Sequence, residues 1–328
     1  MGFAMNKVLI MMASYNGEGY IGQQIESIIN QTYQDWNLVI QDDGSNDSTI
    51  DIIRSYCELD SRVSLRFNES GRHGAFPNFH SLANSYKNDR SYSYFMFCDQ
   101  DDIWDKDKVE VMVESLEEKS EIHKPALLYA DMRLIDQDNK LLNPSIDEVW
   151  KISGKNKYSY FFSHKVFGCN LIMNAALFYK VPTIDVSEEI VAILSHDNLY
   201  TKFAALFGEV YYLNKPLMSY RRHGKNQTTE QKYKMSLERI LNRLLNLDDL
   251  ARRHAITYSQ TLYAVQLIKA LELTDDENEF MNDVTDIIQG GCPSITKVNR
   301  LKINWGSMIE NTSHKLILCL KMHKKHLK

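Results

Sequence analysis

The chain has 328 residues, 44% apolar and 25% charged, with a formal net charge of −5, the composition of a globular protein large enough for one domain plus an appendage. Its acidic main body argues against a general nucleic-acid binder, and no apolar run approaches the roughly 20 residues needed to span a bilayer. Five scattered cysteines (Cys57, Cys98, Cys169, Cys292, Cys319) form no CxxC pair, which speaks against a disulfide framework and a zinc site and favours a reducing cytoplasm.

Lys7 to Met12 reads as a short strand stopping at the polar turn Ala13-Ser14-Tyr15-Asn16-Gly17. Helical spacing of Ile21, Ile25, Ile28 and Ile29 predicts a helix from about Tyr20 to Gln31. A second strand, Trp36 to Ile40, runs into Asp42-Asp43-Gly44-Ser45-Asn46-Asp47-Ser48, with Ser48 as the expected cap of the next helix. On its own this stretch is equally a turn plus a helix cap. Val63 to Phe67 gives a third strand and leads to Asn68 through Gly74, which contains Arg72. A helix from Pro77 to Tyr86 follows.

Tyr92 to Cys98 is an apolar run ending in Asp99-Gln100-Asp101-Asp102. It reads as a strand covered on both faces, and such strand ends are where open α/β sheets bind ligands. Three carboxylates within four residues repel one another, and a divalent cation is the usual remedy. Oxygen ligands favour Mg²⁺ or Mn²⁺ over Zn²⁺. An EF-hand is disfavoured because Ile103 and Trp104 stand where that loop needs a ligand and a glycine. A solvated acidic loop is the plain alternative. After a helix from Lys106 to Glu118, strand, turn and helix have alternated four times, the pattern of a parallel α/β sheet.

Beyond this the regularity loosens. Ala126 to Leu134 reads as a strand and Lys151 to Tyr160 as a polar loop. Phe167-Gly168-Cys169-Asn170 precedes an apolar segment reaching Val181, and a mostly helical stretch, Val186 to Phe207, is interrupted at Ser195-His196-Asp197-Asn198. Val210 to Tyr220 delivers Arg221-Arg222-His223-Gly224-Lys225. From Arg221 onward there are 18 Lys and Arg against 12 Asp and Glu, whereas the rest has 20 against 31. Met235, Leu237, Ile240, Leu241, Leu244 and Leu245 recur at helical spacing, and a second segment runs from about Ala255 to Leu273. The expected division is therefore 1–226 for the α/β domain and 227–328 for a helical region of two to four helices. With Tyr233, Tyr258, Tyr263, Arg239, Arg243, Arg252 and Arg253, those helices read either as a bundle buried against protein or as a platform on a membrane.

The first 225 residues resemble the family 2 glycosyltransferases, inverting enzymes of the GT-A fold. The resemblance rests on Ala13 to Asn16, Ile28 to Tyr33, Val39 to Thr49, Asp99 to Asp102 and His196-Asp197, in that order. The form Asp-Gln-Asp-Asp-Ile-Trp is most similar to bacterial rhamnosyltransferases that build surface polysaccharides. The implied fold is a Rossmann-like α/β, mostly parallel sheet flanked by helices. Ser14, Tyr15, Asn16, one of Asp42 and Asp43, Arg72, Asp99, Gln100 and Asp102 are implied to bind the nucleotide sugar. Asp101 and His223 are the implied ligands of Mn²⁺ or Mg²⁺, with Arg221, Arg222 and Lys225 adding positive charge for the diphosphate. Asp197 is the implied general base, although the family often has Glu-Asp where this chain has His196-Asp197.

The implied donor is dTDP-rhamnose first and a UDP-sugar second, and the implied acceptor is a glycan, lipid-linked or free. Peripheral contact with the inner face of the membrane and a homodimer are open options. The alternatives to an enzyme are a nucleotide- or sugar-binding module without turnover, a His-Asp phosphohydrolase lacking its further His ligands, and a dehydrogenase lacking GxGxxG.

Overall fold

The computed structural model describes residues 7–223 and 247–328. Expectations resting on Gly224, Lys225, Tyr233, Arg239, Arg243 and the apolar positions Met235 to Leu245 lie outside the described residues. The chain divides into two compact units, Met1–Asp147 with Val166–Gln227, and Glu148–Lys165 with Thr228–Lys328.

Nine strands are described: β1 (Val8–Ser14), β2 (Trp36–Asp42), β3 (Val63–Phe67), β4 (Tyr94–Cys98), β5 (Ile103–Trp104), β6 (Ala126–Asp136), β7 (Leu141–Asn143), β8 (Leu171–Asn174) and β9 (Glu209–Arg222). The helices are α1 (Ile21–Ile29), α2 (Thr49–Leu59), α3 (Ala75–Ser85), α4 (Lys108–Lys119), α5 (Ile146–Trp150), α6 (Ser159–Phe162), α7 (Ala175–Lys180), α8 (His196–Phe207), α9 (Leu247–Lys269), α10 (Asp275–Gln289), α11 (Cys292–Arg300) and α12 (Met308–Cys319).

In the first unit the strands lie in the order β3-β2-β1-β4-β8-β6-β9-β5, with β7 paired to β6. The β1–β2, β1–β4, β2–β3 and β6–β9 pairings are parallel, so most of the paired length is parallel. β1 and β4 are the continuous apolar runs expected of strands covered on both faces, and every residue from Val8 to Met12 and from Phe95 to Cys98 is fully buried. α1 packs Ile21, Ile25 and Ile28 inward from the spacing that predicted it. In-register pairing of Ser14 with Asp42, and of Met12 with Cys98, brings the loops after β1, β2 and β4 to one edge of the sheet.

Several local expectations are corrected. Ser48 makes no side-chain cap on α2; Asp47 instead accepts the Thr49 N–H, and Glu18 accepts the Ser48 N–H. Of the helical stretch expected from Val186, a 3-10 helix, Glu189–Ala192, forms first, and α8 begins at His196, because Ser195 takes the extended cap conformation, so the interruption is a helix start. The loop expected over 151–160 runs into α6, where Tyr160, Phe161 and Phe162 are buried.

Those aromatic residues belong to the second unit, so the expected boundary at 226 is incomplete: Glu148–Lys165 packs with the C-terminal helices. The physical reason is its apolar content. Tyr158 stacks on Phe280 at 4.0 Å, Phe162 meets Tyr258 and Trp305 edge-on, and Thr261 Oγ1 donates to the Phe161 carbonyl at 2.5 Å. Reciprocal capping boxes, Thr274 with Glu277 and Ser307 with Glu310, start α10 and α12. Tyr258 and Tyr263 are buried in this core and form no outward-facing platform.

Candidate active site

Three loops meet at the C-terminal edge of the parallel strands, and their polar side chains fasten one loop to another. Ser14 Oγ donates to Asp42 Oδ2 at 2.8 Å. Asp42 also accepts from the Gly44 and Ser45 N–H groups and from Ser45 Oγ, at 3.0, 2.7 and 2.7 Å. It is completely buried, and its carboxylate shapes the turn. Asp43 is the neighbour nearer the surface. It accepts from Asn68 Nδ2 (2.6 Å) and the Gly74 N–H (2.7 Å) and lies 3.0 Å from Nδ1 of the exposed His73.

Tyr15 is 53% exposed at the end of β1. Asn16, in the left-handed region at φ 44°, accepts the Asn46 N–H through its side chain at 2.9 Å. Gln100 pairs reciprocally with the Tyr15 backbone: its Oε1 accepts the N–H and its Nε2 donates to the carbonyl, both at 3.0 Å. A Cβ on Gly17 would stand 2.3 Å from that Oε1, which explains the glycine. Arg72 was expected at the diphosphate, but its guanidinium donates to the Ser187 carbonyl.

The acidic turn after β4 concentrates charge. Ligand atoms of Asp99, Asp102 and Cys169 lie within 4.8 Å of one another. Burial, then the charges of Asp101 and Asp197, push Asp99 up to about 7. Burial, then Asp101 and Asp99, push Asp102 well above the usual carboxylate range. Asp102 is completely buried and accepts the Arg221 N–H at 3.0 Å through Oδ1, so it braces the turn. Asp101 points the other way, its Oδ2 2.7 Å from His223 Nε2 at the end of β9.

Lys108, which the sequence pattern did not single out, lies buried behind the acidic turn. It is buried without exposure and donates to the Cys169 carbonyl (2.8 Å) and Asn170 Oδ1 (3.1 Å). Burial lowers it to about 8, against the pull of Cys169, Cys98 and Asp102. Its signal was its place: a lysine six residues past three acids, on the inward face of a helix.

Asp197 sits in the first turn of α8, where a negative charge complements the helix dipole. It accepts the Gly168 N–H (2.8 Å), the Asn198 N–H (2.6 Å) and Ser195 Oγ. His196 is packed inward on Phe79 and Phe97, at 4.1 and 4.4 Å. A Cβ on Gly168 would lie 2.3 Å from His196 Nε2, so this close approach requires glycine. Asp197 Oδ2 holds the Gly168 N–H, next in sequence to Cys169, whose Sγ lies within 4.8 Å of Asp99 and Asp102, so the helix start and the acidic turn meet at one corner of the backbone.

This donor set suits a hard divalent cation. The carboxylates are held together against their own repulsion, and an imidazole stands beside Asp101. Burial, then Asp102 and Asp99, push the Cys169 thiol well up, and sulfur is a softer ligand than the oxygen donors a hard cation takes. Asp101 and His223 are the better-presented pair, at 16% and 10% side-chain exposure.

The sequence model of Glycosyl transferase family 2 matches residues 9–177, just over half the chain. The dTDP-rhamnosyl transferase RfbG of Shigella flexneri is 29% identical over 220 residues, 66% of this chain and 73% of its own length. The putative teichuronic acid biosynthesis glycosyltransferase TuaG of Bacillus subtilis is 28% identical over 166 residues, 51% of this chain and 61% of its own. Among solved structures, S. aureus TarS 1-349 in complex with UDP-GlcNAc has a TM-score of 0.54 at 14% identity, covering 98% of this chain and 91% of that one. Mannosyltransferase PcManGT from Pyrobaculum calidifontis, in complex with GDP-Man and Mn²⁺, has a TM-score of 0.52 at 11% identity, covering 98% and 86%.

Proposed function

The chain belongs to glycosyl transferase family 2 and uses a nucleotide sugar, and from that premise we propose that it is an inverting, metal-dependent transferase acting in surface polysaccharide synthesis. The observation that carries the reading is that Asp197, held on the Gly168 N–H, adjoins the acidic turn through Cys169, whose thiol lies within 4.8 Å of Asp99 and Asp102. A pure binder needs the acidic turn but no carboxylate beside it at a helix start. Asp197 takes the proton from an acceptor hydroxyl as that oxygen attacks the anomeric carbon, and the nucleoside diphosphate departs from the opposite side. Tyr15 and Asp43 face the base, and Asp99 faces the ribose or sugar. A Mn²⁺ or Mg²⁺ held by Asp101 and His223 would supply Lewis-acid stabilisation to the leaving diphosphate.

The donor proposed first is dTDP-rhamnose, supported by the likeness to RfbG. A UDP-hexose comes second, since a relative from Escherichia coli, 33% identical over 132 residues, is a UDP-Glc:alpha-D-GlcNAc-diphosphoundecaprenol beta-1,3-glucosyltransferase. A thermal-shift series of dTDP, UDP and GDP, each with Mn²⁺ or EDTA, tests this. A ligand bound only by the folded state raises the melting temperature by mass action. Stabilisation by dTDP that needs Mn²⁺ is expected, and metal-independent binding counts against the site. Asp197→Asn is expected to lower turnover by about 10²–10⁴-fold while the nucleotide-induced shift stays; loss of both would make Asp197 structural.

We also propose that the acceptor is reached at an anionic lipid surface. Among the described residues no helix is long and apolar enough to cross a membrane. Between 291 and 328, eight Lys and Arg face one acid. Lys302 and Lys315 line a groove of about 570 Å³ with the exposed Met308. Salt-sensitive flotation with phosphatidylglycerol vesicles, lost in Lys302→Glu/Lys315→Glu, is the expected result; equal flotation with neutral vesicles would sink the idea.

A further inference from the structure

Behind the acidic turn lies a cation that the reaction does not call on. Arg221, near the end of β9, has no exposed surface. Burying a guanidinium is costly unless its donors are satisfied, and here they are spent on three separate parts of the chain. Nε donates to the Asp101 carbonyl at 2.7 Å. Nη2 donates to Gln23 Oε1 of α1 at 2.9 Å. Nη1 reaches Asn139 Oδ1 and the Gln137 carbonyl in the turn between β6 and β7. The backbone N–H of Arg221 donates to Asp102 Oδ1. The expectation that Arg221 offers its charge to a diphosphate is thereby corrected: its side chain is turned inward.

Tyr20 completes the arrangement. Its ring lies 4.8 Å from the Arg221 guanidinium carbon and stacks on the His223 ring at 4.9 Å, 23° from parallel. His223 in turn lies 2.7 Å from Asp101. The contacts close on themselves, from Arg221 through the Asp101 backbone to its carboxylate, on to His223, to Tyr20 and back to Arg221.

We propose that Arg221, with Tyr20, is a positioning residue that holds Asp101 and His223 in the register at which they take a divalent cation. The proposal rests on the reading of Asp101 and His223 as metal ligands. A planar fork can bind Gln23, Asn139 and the Asp101 carbonyl at once; a lysine presents its donors at one point and cannot span them. The Tyr20 face fixes the plane of the His223 ring, which its own backbone leaves free to turn.

The test is Mn²⁺ binding to the full chain, followed by electron paramagnetic resonance without nucleotide or turnover, beside melting temperatures in EDTA. Tyr20→Phe keeps the ring and should bind Mn²⁺ as the parent does. Tyr20→Leu and Arg221→Lys should raise the Mn²⁺ Kd by ten-fold or more, with the EDTA melting temperature of Tyr20→Leu within a few degrees of the parent. Should Arg221→Lys fail to fold, Gln23→Leu, which removes one anchor of the guanidinium, should raise the Kd by a few-fold. Parent-like Mn²⁺ affinity in Tyr20→Leu together with Arg221→Lys or Gln23→Leu overturns the proposal and leaves Arg221 as a core residue. Parent-like affinity in Asp101→Asn and His223→Ala overturns instead the assignment of the ligands on which the proposal rests.

Discussion

At the scale of single residues, the site is supported by groups held in unusual protonation states. His80, on α3, is fully buried with its Nε2 2.9 Å from the Leu194 carbonyl, one residue before the cap of α8. Burial first, then the neighbouring His196, lowers it from 6.5 to about 3. The folded chain therefore keeps His80 neutral where the unfolded chain protonates it. Stability from this group is fully present above pH 6.5 and is lost as pH falls towards 3, by about 1.4 kcal/mol per pH unit. His80→Gln, which can still donate to Leu194, is expected to flatten the acid limb of a urea-denaturation series between pH 6.5 and 4. An unchanged limb would mean that His80 does not carry it. Asp42 and Asp43 also differ in residue terms, because both are acids in a turn sequence and only burial separates the one that holds the turn from the one near the surface.

At the scale of elements, the first four strand-and-helix repeats were legible because each carries its own signal: continuous apolar runs in β1 and β4, helical spacing in α1, and acids at strand ends. The start of α8 was not, because Ser195 caps it by backbone conformation alone and the apolar residues before it mimic more helix. Nor was the role of Lys108 or Arg221, whose burial depends on partners 61 and 120 residues away in sequence. Two glycines show how tightly elements approach one another. A Cβ on Gly208 would lie 1.7 Å from the Pro125 carbonyl oxygen, backbone against backbone, where β9 begins beside β6. Gly208→Ala is expected to destabilise the protein by about 3 kcal/mol or more, at the top of the overpacking range, measured by denaturant melts. Gly168→Ala presses on the His196 ring beside Asp197, so kcat should fall more than donor affinity changes. A parent-like kcat would show that the His196 ring yields.

At the scale of the whole molecule, the sequence suggested a catalytic part followed by a tail, and the fold divides differently. Residues Glu148–Lys165 leave the first unit in sequence and join the helical one, contributing Tyr160, Phe161 and Phe162 to its core. No local pattern announces this, because a short aromatic stretch looks the same whichever core receives it. The consequence is that the matched region 9–177 cannot be cut out by sequence position. A chain ending at 226 would strip Phe161 and Phe162 of their partners Tyr258, Phe280 and Trp305, and each such side chain buries about 150–250 Å². Such a truncation is expected to elute in the void volume of a sizing column. A monodisperse, nucleotide-binding product would refute the dependence.

The cross-fastening of the loops after β1, β2, β3 and β4, where Asn16 holds Asn46, Asp43 holds Gly74 and Gln100 holds Tyr15, has a thermodynamic corollary. A receptor whose walls are already tied together has little conformational freedom left to surrender. Nucleotide capture should therefore resemble a rigid-body event, with a heat-capacity change no larger than the contact area alone demands and an association rate near that of simple docking. Cutting one tie outside the implied nucleotide contacts, as in Asn68→Ala, which removes a donor to Asp43, should make capture entropically dearer, a penalty visible in calorimetry as a change in −TΔS.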